Sequence, residues 1–116
     1  MEPPSCVFCR IVEGVEPAQV LYGSDTVLAF RDIAPQAPVH VLVIPKEHLV
    51  SVAEVEERHA GMLVDLFSAA RQIARAEGVD EDGWRLVTNV GRGGGQHVFH
   101  LHLHLLGGRQ MTWPPG

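Results

Sequence analysis

Seven histidines and two cysteines are the residues of this 116-residue chain whose types and spacing could do chemistry. Three of the histidines alternate with leucines in the segment His100-Leu101-His102-Leu103-His104-Leu105. Successive side chains of a β-strand point to opposite faces, so the three imidazoles are expected on one face and the leucines on the other. The leucine face can pack against a helix. The histidine face must meet water, a ligand, a metal or hydrogen-bond partners.

The shared imidazole face has three interpretations. It could be a half-exposed sheet surface without a role, or a His-x-His unit could supply two zinc ligands. It could also be a nucleophilic site, because an imidazole with a pKa near its ordinary value of about 6.5 is largely neutral at pH 7 and can attack phosphorus. Neighbouring imidazoles would then hold the tautomer of the attacking ring or stabilise charge on the phosphate.

The second chemical pattern is Cys6-x-x-Cys9, which has the spacing of two zinc ligands. A closed structural site needs two more ligands, and the sequence offers His48 and His100. The alternative is a pair of reduced, partly buried thiols, with His48 capping a loop. A redox role is disfavoured, since no strand–motif–helix pattern of a thioredoxin surrounds the two cysteines.

A glycine-rich loop over residues 91–95 precedes the histidine segment. It lacks the Gly-Lys-Ser/Thr ending of a P-loop and leads into a strand, so by itself it predicts a flexible hairpin turn as readily as a phosphate cradle. Arg92 could touch a phosphate, but a solvated loop arginine is the favoured interpretation. His59 falls in a helical segment and is expected to be a solvated side chain.

Hydrophobic periodicity predicts the elements that must position these residues. Strands are predicted at 19–22, 26–30, 39–44, 84–90 and 98–106, the third of them buried and central. Apolar residues at three- and four-residue steps predict one amphipathic helix, from Ser51 as N-cap to Gly78. Residues 107–116 are too rich in glycine and proline for regular structure. This order predicts an α+β fold with a mostly antiparallel sheet.

Length and composition limit the classes of protein that remain. The length predicts one domain over residues 1–116, with an N-terminal segment at 1–17 and a tail at 107–116. Hydrophobic residues at 46% and charged residues at 20% exclude a wholly disordered, collagenous or coiled-coil chain. A net charge of −5 argues against nucleic-acid binding but not against a small anionic ligand.

Two further features concern location. No apolar run approaches the roughly 18 residues that span a bilayer, so no membrane partner is expected. The start, Met1-Glu2-Pro3-Pro4, lacks the basic and apolar regions of a secretory signal. A cytoplasmic location is therefore expected.

Four segments in matching order resemble the histidine triad (HIT) family, and specifically its nucleotide-binding (Hint) branch. Residues 100–106 fit the family signature of histidines that alternate with apolar residues and end in two of them, and the other three segments are residues 32–40, 44–48 and 106–116. The resemblance covers nearly the whole chain. It implies a five-stranded antiparallel sheet with one long helix and a short N-terminal helix, in a homodimer whose two sheets join.

The resemblance also implies an activity and its residues. The activity is hydrolysis of the P–N bond of purine nucleoside 5′-phosphoramidates, such as AMP-amine compounds, through a covalent nucleotidyl-histidine. His102 resembles the nucleophile, and His104 and His40 resemble the histidines that support it around the phosphate. The implied nucleotide site also has an apolar base slot, a ribose carboxylate, a phosphate-side loop and a tail aromatic that approaches the partner subunit; these correspond to Val7, Phe8, Ile11, Phe30, Asp32, Ile33, Leu42, Asn89, Gly95, Gln96, His97 and Trp113.

Zinc-containing bacterial members resemble the cysteine and histidine pattern of this chain. The resemblance implies one structural zinc per chain, with no dissociable cofactor required, held by Cys6, Cys9, His48 and His100. His97 departs from the familiar eukaryotic relatives, which carry a serine that approaches the phosphate and leaving group. It could donate a proton to the departing amine or turn outward, and the outward orientation is slightly favoured.

Two other functions remain open. One is a dinucleotide-polyphosphate hydrolase or nucleotidyl transferase of the same superfamily, and the other is a nucleotide-binding regulator whose catalysis is incidental. The ending Trp113-Pro114-Pro115-Gly116 resembles the nucleotide-binding branch and so favours the phosphoramidate hydrolase over the first of these.

Overall fold

Five antiparallel strands form one sheet in the computed structural model, which describes residues 5–116. Residues 1–4, the start of the expected N-terminal segment, lie outside the described residues. The strands are β1 (Val20–Gly23), β2 (Val27–Arg31), β3 (Val39–Pro45), β4 (Trp84–Val87) and β5 (Leu103–Gly107). Their order across the sheet is β1-β2-β3-β5-β4, so β5 lies between β3 and β4. The predicted α+β fold and five-stranded antiparallel sheet are confirmed.

Two helices cover the two faces of this sheet, as predicted for one long and one short helix. They are α1 (Val7–Val12) and α2 (Ala60–Ala76). Along β3 the buried side chains alternate: Val41 and Val43 pack in the cluster that holds the buried face of α2, whereas Leu42 and Ile44 pack with Phe8 of α1. Every position of β3 is therefore buried, which confirms the predicted central strand.

The prediction that the long helix begins at Ser51 is wrong. The Ser51 hydroxyl accepts a hydrogen bond from the Ala53 N–H at 3.1 Å, but it caps only a short 3₁₀ turn at Val52–Glu54. A second 3₁₀ turn at Glu57–His59 follows, and α2 begins at Ala60. The chain is extended at Glu56, between the two turns, which breaks the helical hydrogen-bond series there.

The C-terminal end of α2 lies where the sequence predicted it. Gly78 has a φ of +76°, a backbone conformation that favours glycine. Beyond the last helical residue, the Gly78 N–H donates to the Arg75 carbonyl at 3.1 Å and the Val79 N–H donates to the Ala74 carbonyl at 3.0 Å. This pair of bonds is a Schellman motif, and it ends the helix where the glycine predicted its end.

The strands on either side of the glycine loop are shorter than predicted. β4 ends at Val87 instead of residue 90, and β5 begins at Leu103 instead of residue 98. The reason is that the backbone before β5 bonds outside the sheet: the Leu101 N–H donates to the Leu49 carbonyl at 2.7 Å, and the His102 carbonyl accepts from the Thr88 hydroxyl at 2.9 Å. His100 and His102 therefore precede the strand.

The leucines of the histidine segment nevertheless face α2 as predicted. Leu101, Leu103 and Leu105 are buried in the same apolar cluster as Leu66 and Ile73 of α2. The histidines lie on the other side of the segment, towards α1, where Phe8 contacts both His100 and His102 edge to face.

The tail beyond β5 has no helix or strand, as predicted, although Gly107 itself is the last residue of β5. Side chains hold the tail to the sheet end: Arg85 donates to the Thr112 carbonyl at 2.9 Å, and Arg109 donates to the Gln36 carbonyl at 3.0 Å. Within residues 5–116, neither helix has the length and apolar character needed to traverse a lipid bilayer.

Candidate functional site

Two cysteines and two histidines converge where α1 meets the end of β3. Cys6 caps the N-terminus of α1, Cys9 lies within it, His48 follows β3 and His100 precedes β5. The four ligand atoms all lie within 4.8 Å of one another. The Cys9 thiol lies 3.2 Å from His48 Nδ1, and the two Nδ1 atoms of His48 and His100 are 3.1 Å apart. The structure thus brings together the four residues that the resemblance assigned to zinc.

The proton on His100 decides whether this cluster fits a metal. His100 Nε2 lies 2.9 Å from the Pro45 carbonyl oxygen, which can only accept, so Nε2 carries the proton and Nδ1 carries a lone pair. That lone pair faces the two thiols at 3.4 and 3.5 Å. Two sulfur and two imidazole donors are a set that suits tetrahedral Zn²⁺, and a carbonyl on the far ring nitrogen is the usual outer support. The cluster therefore fits a closed metal site.

Four further histidines line a cavity of about 550 Å³ on the same side of the sheet, here called the phosphate cavity, and three of them lie together. His40 belongs to β3, His104 to β5, and His102 lies just before β5. The rings of His102 and His104 are 4.9 Å apart between centroids, and those of His40 and His104 are 5.2 Å apart. The cavity is completed by Phe8, Asp32, Ala34, Gln36, Leu42, Asn89, Gly95, His97 and Val98.

Main-chain contacts assign the protons on these rings. His102 Nδ1 lies 2.7 Å from the His100 carbonyl oxygen, so Nδ1 carries the proton and Nε2 carries a lone pair. His40 is the reverse case, because its Nδ1 accepts from the Gln36 N–H at 3.0 Å and its proton must be on Nε2. His40 Nε2 then donates to His104 Nδ1 at 2.9 Å, which leaves the His104 proton on its Nε2.

Burial keeps the three rings neutral. It lowers the pKa of His40 and of His102, although the Asp32 carboxylate opposes both shifts and the hydrogen bond to the His100 carbonyl also opposes that of His102. Burial, together with the nearby His102 and His40, lowers the pKa of His104 to about 4. At neutral pH the lone pair of His102 is therefore available for attack.

Asp32, His40 and His104 also lie close enough together to suggest a metal site, with ligand atoms within 4.8 Å of one another. The proton assignment argues against it. His40 Nε2, the atom that would have to bind a metal, carries the ring proton because Nδ1 accepts from the Gln36 N–H. His40 Nε2 donates this proton to His104 Nδ1 at 2.9 Å, and Asp32 Oδ2 lies 3.4 Å from the same nitrogen.

A second cavity of about 430 Å³, here called the base cavity, adjoins the phosphate cavity. Phe8, Asp32, Leu42 and Val98 line both, so the two form one continuous groove. The base cavity also contains all the other residues of the expected apolar slot, at Val7, Ile11, Phe30 and Ile33, together with Glu16, Pro17, Ala18 and Arg31. Ile33 is 99% exposed and therefore lies at the rim.

Two of the expected loop residues have definite partners. Gln96 is buried, and its side chain donates to the carbonyls of Val50 and Val98 and accepts from the Gly91 N–H, so it holds the glycine loop in place. Asn89 lines the phosphate cavity, and its amide donates to the Gly94 carbonyl at 2.7 Å. Gln96 supports this wall without lining either cavity.

Three other residues lie at or beyond the edge of the groove. His97 is exposed and lines the phosphate cavity. Arg92 is exposed and lines neither cavity, in keeping with a solvated arginine. Trp113 is 82% exposed and also lines neither cavity.

The prediction that His59 is a solvated side chain is wrong. His59 is 1% exposed. Its Nδ1 accepts from the Glu56 N–H at 2.8 Å, so the Nε2 proton points towards the Glu47 carboxylate, 3.5 Å away. Periodicity alone places this position on the polar face of a helix; the burial follows from the 3₁₀ turn that precedes α2.

Sequence reasoning also missed Val98, Gln36 and Pro45. Val98 lines both the base and phosphate cavities, while Gln36 and Pro45 act through their main chains on His40 and His100. A main-chain contact leaves no residue-type signal. The prolines around Gln36 were the available hint, because they predict a loop whose N–H groups are not used by a sheet.

Comparison with known proteins gives one family for most of the chain. The profile described as the HIT domain matches residues 13–111. The 14 kDa zinc-binding protein of Zea mays is 51% identical over 112 residues, 95% of this chain and 87% of that protein. The adenylylsulfatase HINT1 of Arabidopsis thaliana is 48% identical over 112 residues, 95% of this chain and 76% of that protein.

A solved structure matches the fold closely. The HIT family hydrolase of Legionella pneumophila Philadelphia 1 is 53% identical and superposes with a TM-score of 0.95. The match covers 97% of this chain and 100% of that one, so the whole arrangement of sheet and helices is common to both.

Proposed function

The chain belongs to the HIT domain family, and from this premise we propose that it hydrolyses purine nucleoside 5′-phosphoramidates through a nucleotidyl group carried on His102. One observation carries the proposal above the others. The His100 carbonyl accepts a hydrogen bond from His102 Nδ1 at 2.7 Å, which leaves the Nε2 lone pair of a buried, neutral ring at the phosphate cavity. Nucleophilic attack on phosphorus requires a deprotonated nitrogen whose orientation is fixed.

The reaction would proceed in two displacements. His102 Nε2 attacks the α-phosphorus and forms the new N–P bond, while the P–N bond to the amine breaks and the leaving nitrogen takes a proton from solvent. Water then attacks the same phosphorus and gives up a proton to solvent; the N–P bond breaks, and its electron pair returns to His102 as the nucleoside monophosphate leaves. Both steps use one positioned phosphorus, which lowers the entropic cost of each.

The neighbouring histidines would support charge on the phosphate. His104 carries its proton on Nε2, because its Nδ1 accepts from His40. His104 Nε2 can therefore donate to a non-bridging phosphate oxygen, and the hydrogen bond from His40 fixes the orientation of the His104 ring. The Asn89 amide and the Gly95 backbone lie in the same cavity wall and complete the polar side of the phosphate site.

The nucleoside would lie in the base cavity. Its walls at Phe8, Phe30 and Leu42 are buried and apolar, and its volume of about 430 Å³ suits a purine with part of its ribose. Asp32 lines both cavities, so its carboxylate can accept from the ribose hydroxyls between the base and the phosphate.

A second candidate reaction is hydrolysis of adenylyl sulfate, favoured by the name of the Arabidopsis relative. It would place the same adenylyl group on His102 and differ only in the departing group. Comparing kcat/KM for an adenosine phosphoramidate and for adenylyl sulfate separates the two reactions.

The test of the mechanism is to trap the intermediate. Protein mixed with an adenosine phosphoramidate and quenched in alkaline denaturant should carry one adenylyl group on the peptide that contains His102, found by mass spectrometry. His102→Ala should carry none and lose at least a thousandfold in kcat. Nucleotide binding with no turnover above that variant would indicate the regulator, and an adenylyl group on another residue would contradict this mechanism.

We also propose one structural zinc per chain, held by Cys6, Cys9, His48 and His100. The donor set argued above supports it, as does the name of the maize relative. Four protein ligands leave no open position, so these residues would tie α1 to the sheet and take no part in the reaction. Reduced thiols of this kind suit the cytoplasm. Elemental analysis should find one zinc per chain, and Cys6→Ser combined with Cys9→Ser should remove it.

A homodimer is the proposed assembly. Val64 and Phe67 of α2 are 68% and 54% exposed, one turn apart on the outer face, and β4 lies at an open sheet edge. Sedimentation should show a dimer for the protein and a monomer for Val64→Asp. Val15 is exposed to the same 68%, so Val15→Asp is the matched control and should stay dimeric. Dimeric Val64→Asp would contradict the choice of this face.

A further inference from the structure

The loop between β2 and β3, residues 32–38, determines where the protons of the phosphate cavity lie. Its Gln36 N–H donates to His40 Nδ1 at 3.0 Å, and this bond puts the His40 proton on Nε2. None of residues 32–38 is buried, so the hydrophobic core does not fix the loop. Hydrogen bonds and close backbone contacts must therefore hold Gln36 in place.

Arg109, in the tail beyond β5, anchors this loop from outside. Its Nε donates to the Gln36 carbonyl at 3.0 Å. In the described part of the chain, the other hydrogen bonds of the loop all end within residues 32–40. Gly108 lies against the same loop, since a Cβ built on it would be 2.9 Å from Cβ of Pro38. The start of the tail thus determines where Gln36 lies.

The hydrogen bonds that begin at Arg109 continue to the phosphate site as one series. Beyond Gln36, His40 Nε2 donates to His104 Nδ1 at 2.9 Å. The His104 proton is then on Nε2, where it can be donated to a phosphate oxygen. An exposed side chain of the tail is therefore connected, through three hydrogen bonds, to the ring that supports the phosphate.

The series has one alternative arrangement, because each neutral ring carries a single proton. In it His40 carries its proton on Nδ1, and His104 donates from Nδ1 to His40 Nε2. His104 Nε2 then turns a lone pair towards the phosphate, which repels an anionic oxygen instead of donating to it. The Gln36 N–H prevents this arrangement, because two donors would face each other at His40 Nδ1.

We propose that Arg109 is a positioning residue, which holds the Gln36 N–H against His40 and so keeps the proton of the next ring on the nitrogen that faces the phosphate. This inference rests on the proposed function, since it assigns a residue to the phosphate site of that reaction. Arg109 lines neither the base cavity nor the phosphate cavity, so it acts without touching the nucleotide. Without its hydrogen bond the loop loosens, and the alternative arrangement becomes populated.

The test combines ¹⁵N NMR of the His40 ring with nucleotide binding. Ring ¹⁵N shifts distinguish a nitrogen with a proton from one with a lone pair, and they should show the lone pair of His40 on Nδ1. In Arg109→Ala they should shift towards a mixture of the two tautomers. The Kd for AMP should rise by the inverse of the fraction that keeps the present tautomer, about threefold where roughly one third keeps it. The Kd for adenosine, which has no phosphate, should not change.

Two further variants separate the hydrogen bond from other effects of the substitution. Arg109→Met keeps the apolar stem without a donor and should repeat both changes. Arg85→Ala is the matched control, because Arg85 also holds the tail, through the Thr112 carbonyl at 2.9 Å, and it should cause neither change. Arg109 is exposed, so its variants should keep the urea midpoint of the protein.

Each outcome decides the proposal. A lone pair that stays on His40 Nδ1 in both Arg109 variants would overturn it, and so would a tautomer change without a weaker affinity for AMP. The same changes in Arg85→Ala would also overturn it, because general detachment of the tail would then be their cause. If the protein binds AMP but hydrolyses no phosphoramidate, the proposed reaction fails, and the ring shifts and Kd values still decide the role of Arg109.

Discussion

At the scale of single residues, the main chain determines what each histidine can do. His100 and His102 are two positions apart, yet a carbonyl accepts a hydrogen bond from Nε2 of the first and from Nδ1 of the second. The first ring therefore turns the lone pair of Nδ1 towards the cysteines, and the second turns the lone pair of Nε2 towards the phosphate cavity. Residue type supplies the imidazole, and the backbone partner selects the nitrogen that keeps a lone pair.

The half-buried ring of His104 should make stability depend on pH. Its pKa is lowered to about 4 from 6.5, so between these pH values the unfolded chain binds a proton that the folded protein does not. The free energy of unfolding therefore falls as pH is lowered from 6.5 to about 4. In His104→Gln this fall should be shallower, by up to about 1.4 kcal/mol per pH unit.

Urea unfolding of both proteins at several pH values measures the difference. His97→Gln removes an exposed imidazole and serves as the control. Parallel curves for the protein and His104→Gln would show that burial does not hold His104 neutral.

Asp32 should act mainly on binding. Its carboxylate already accepts from the Ala34 N–H at 2.8 Å, and Asp32→Asn keeps that acceptor while it removes the charge offered to the ribose. A hydrogen bond to a charged group is worth about 1.5–3 kcal/mol, so KM should rise about tenfold or more. Steady-state kinetics on an adenosine phosphoramidate measures it, with Asp25→Asn in the β1–β2 turn as control. An unchanged KM would remove Asp32 from the ribose site.

At the scale of elements, the sequence predicted a helix end correctly only where the residues that form that end are neighbours in the chain. Gly78 predicted the end of α2 because a positive φ there is a property of a single residue. The start of α2 was not predictable in this way. Ser51 is a good N-cap residue, and it does cap a turn, but the extended backbone at Glu56 interrupts the helix and the buried His59 ring receives the Glu56 N–H.

In the histidine segment, too, the sequence predicted the local feature and not the one that depends on distant residues. Alternation predicted correctly that the leucines face α2. It could not predict where the sheet ladder begins, because the bonds from Leu101 to Leu49 and from Thr88 to His102 join residues distant in sequence. Those bonds place His100 and His102 outside the strand, where the His100 carbonyl can accept a hydrogen bond from His102 Nδ1.

Gly108, just after β5, should be the costliest glycine to replace. Its φ is +88°, and a Cβ built on it would lie 2.9 Å from Cβ of Pro38. Gly108→Ala should therefore lower the free energy of unfolding by about 1–3 kcal/mol. Gly93 has no atom within 4 Å of its position for a Cβ and no positive φ, so Gly93→Ala is the control and should change stability little. Equal urea midpoints for the two variants would contradict this account.

At the scale of the whole molecule, the two sites share one stretch of chain. Residues 100–104 supply a ligand to the Cys/His cluster and two histidines to the phosphate cavity, while α1 supplies Cys9 to the cluster and Phe8 to both parts of the groove. The motif resemblance predicted these sets. It could not predict a further cavity of about 420 Å³ at Val50 and Phe99, because these are ordinary apolar residues brought together only by the fold.

If the Cys/His cluster holds the proposed zinc, this sharing predicts that the metal supports nucleotide binding from a distance. α1 has only six residues, too few for stability alone, and its Cys9 connects it to His48 and His100. The same helix forms the wall of the base cavity through Val7, Phe8 and Ile11. Removing the metal should therefore loosen α1 and weaken AMP binding while the sheet stays folded.

Hydrogen exchange and AMP titration, before and after chelation, measure the two effects together. Amides of residues 10–12 should exchange at least tenfold faster after chelation, those of β3 should change little, and the Kd for AMP should rise about tenfold. Cys6→Ser combined with Cys9→Ser should show both changes without chelator and no further response to it. Chelated protein that keeps both the protection of α1 and its affinity for AMP would show that thiol and imidazole contacts alone hold the helix, so that the base cavity is formed without a metal.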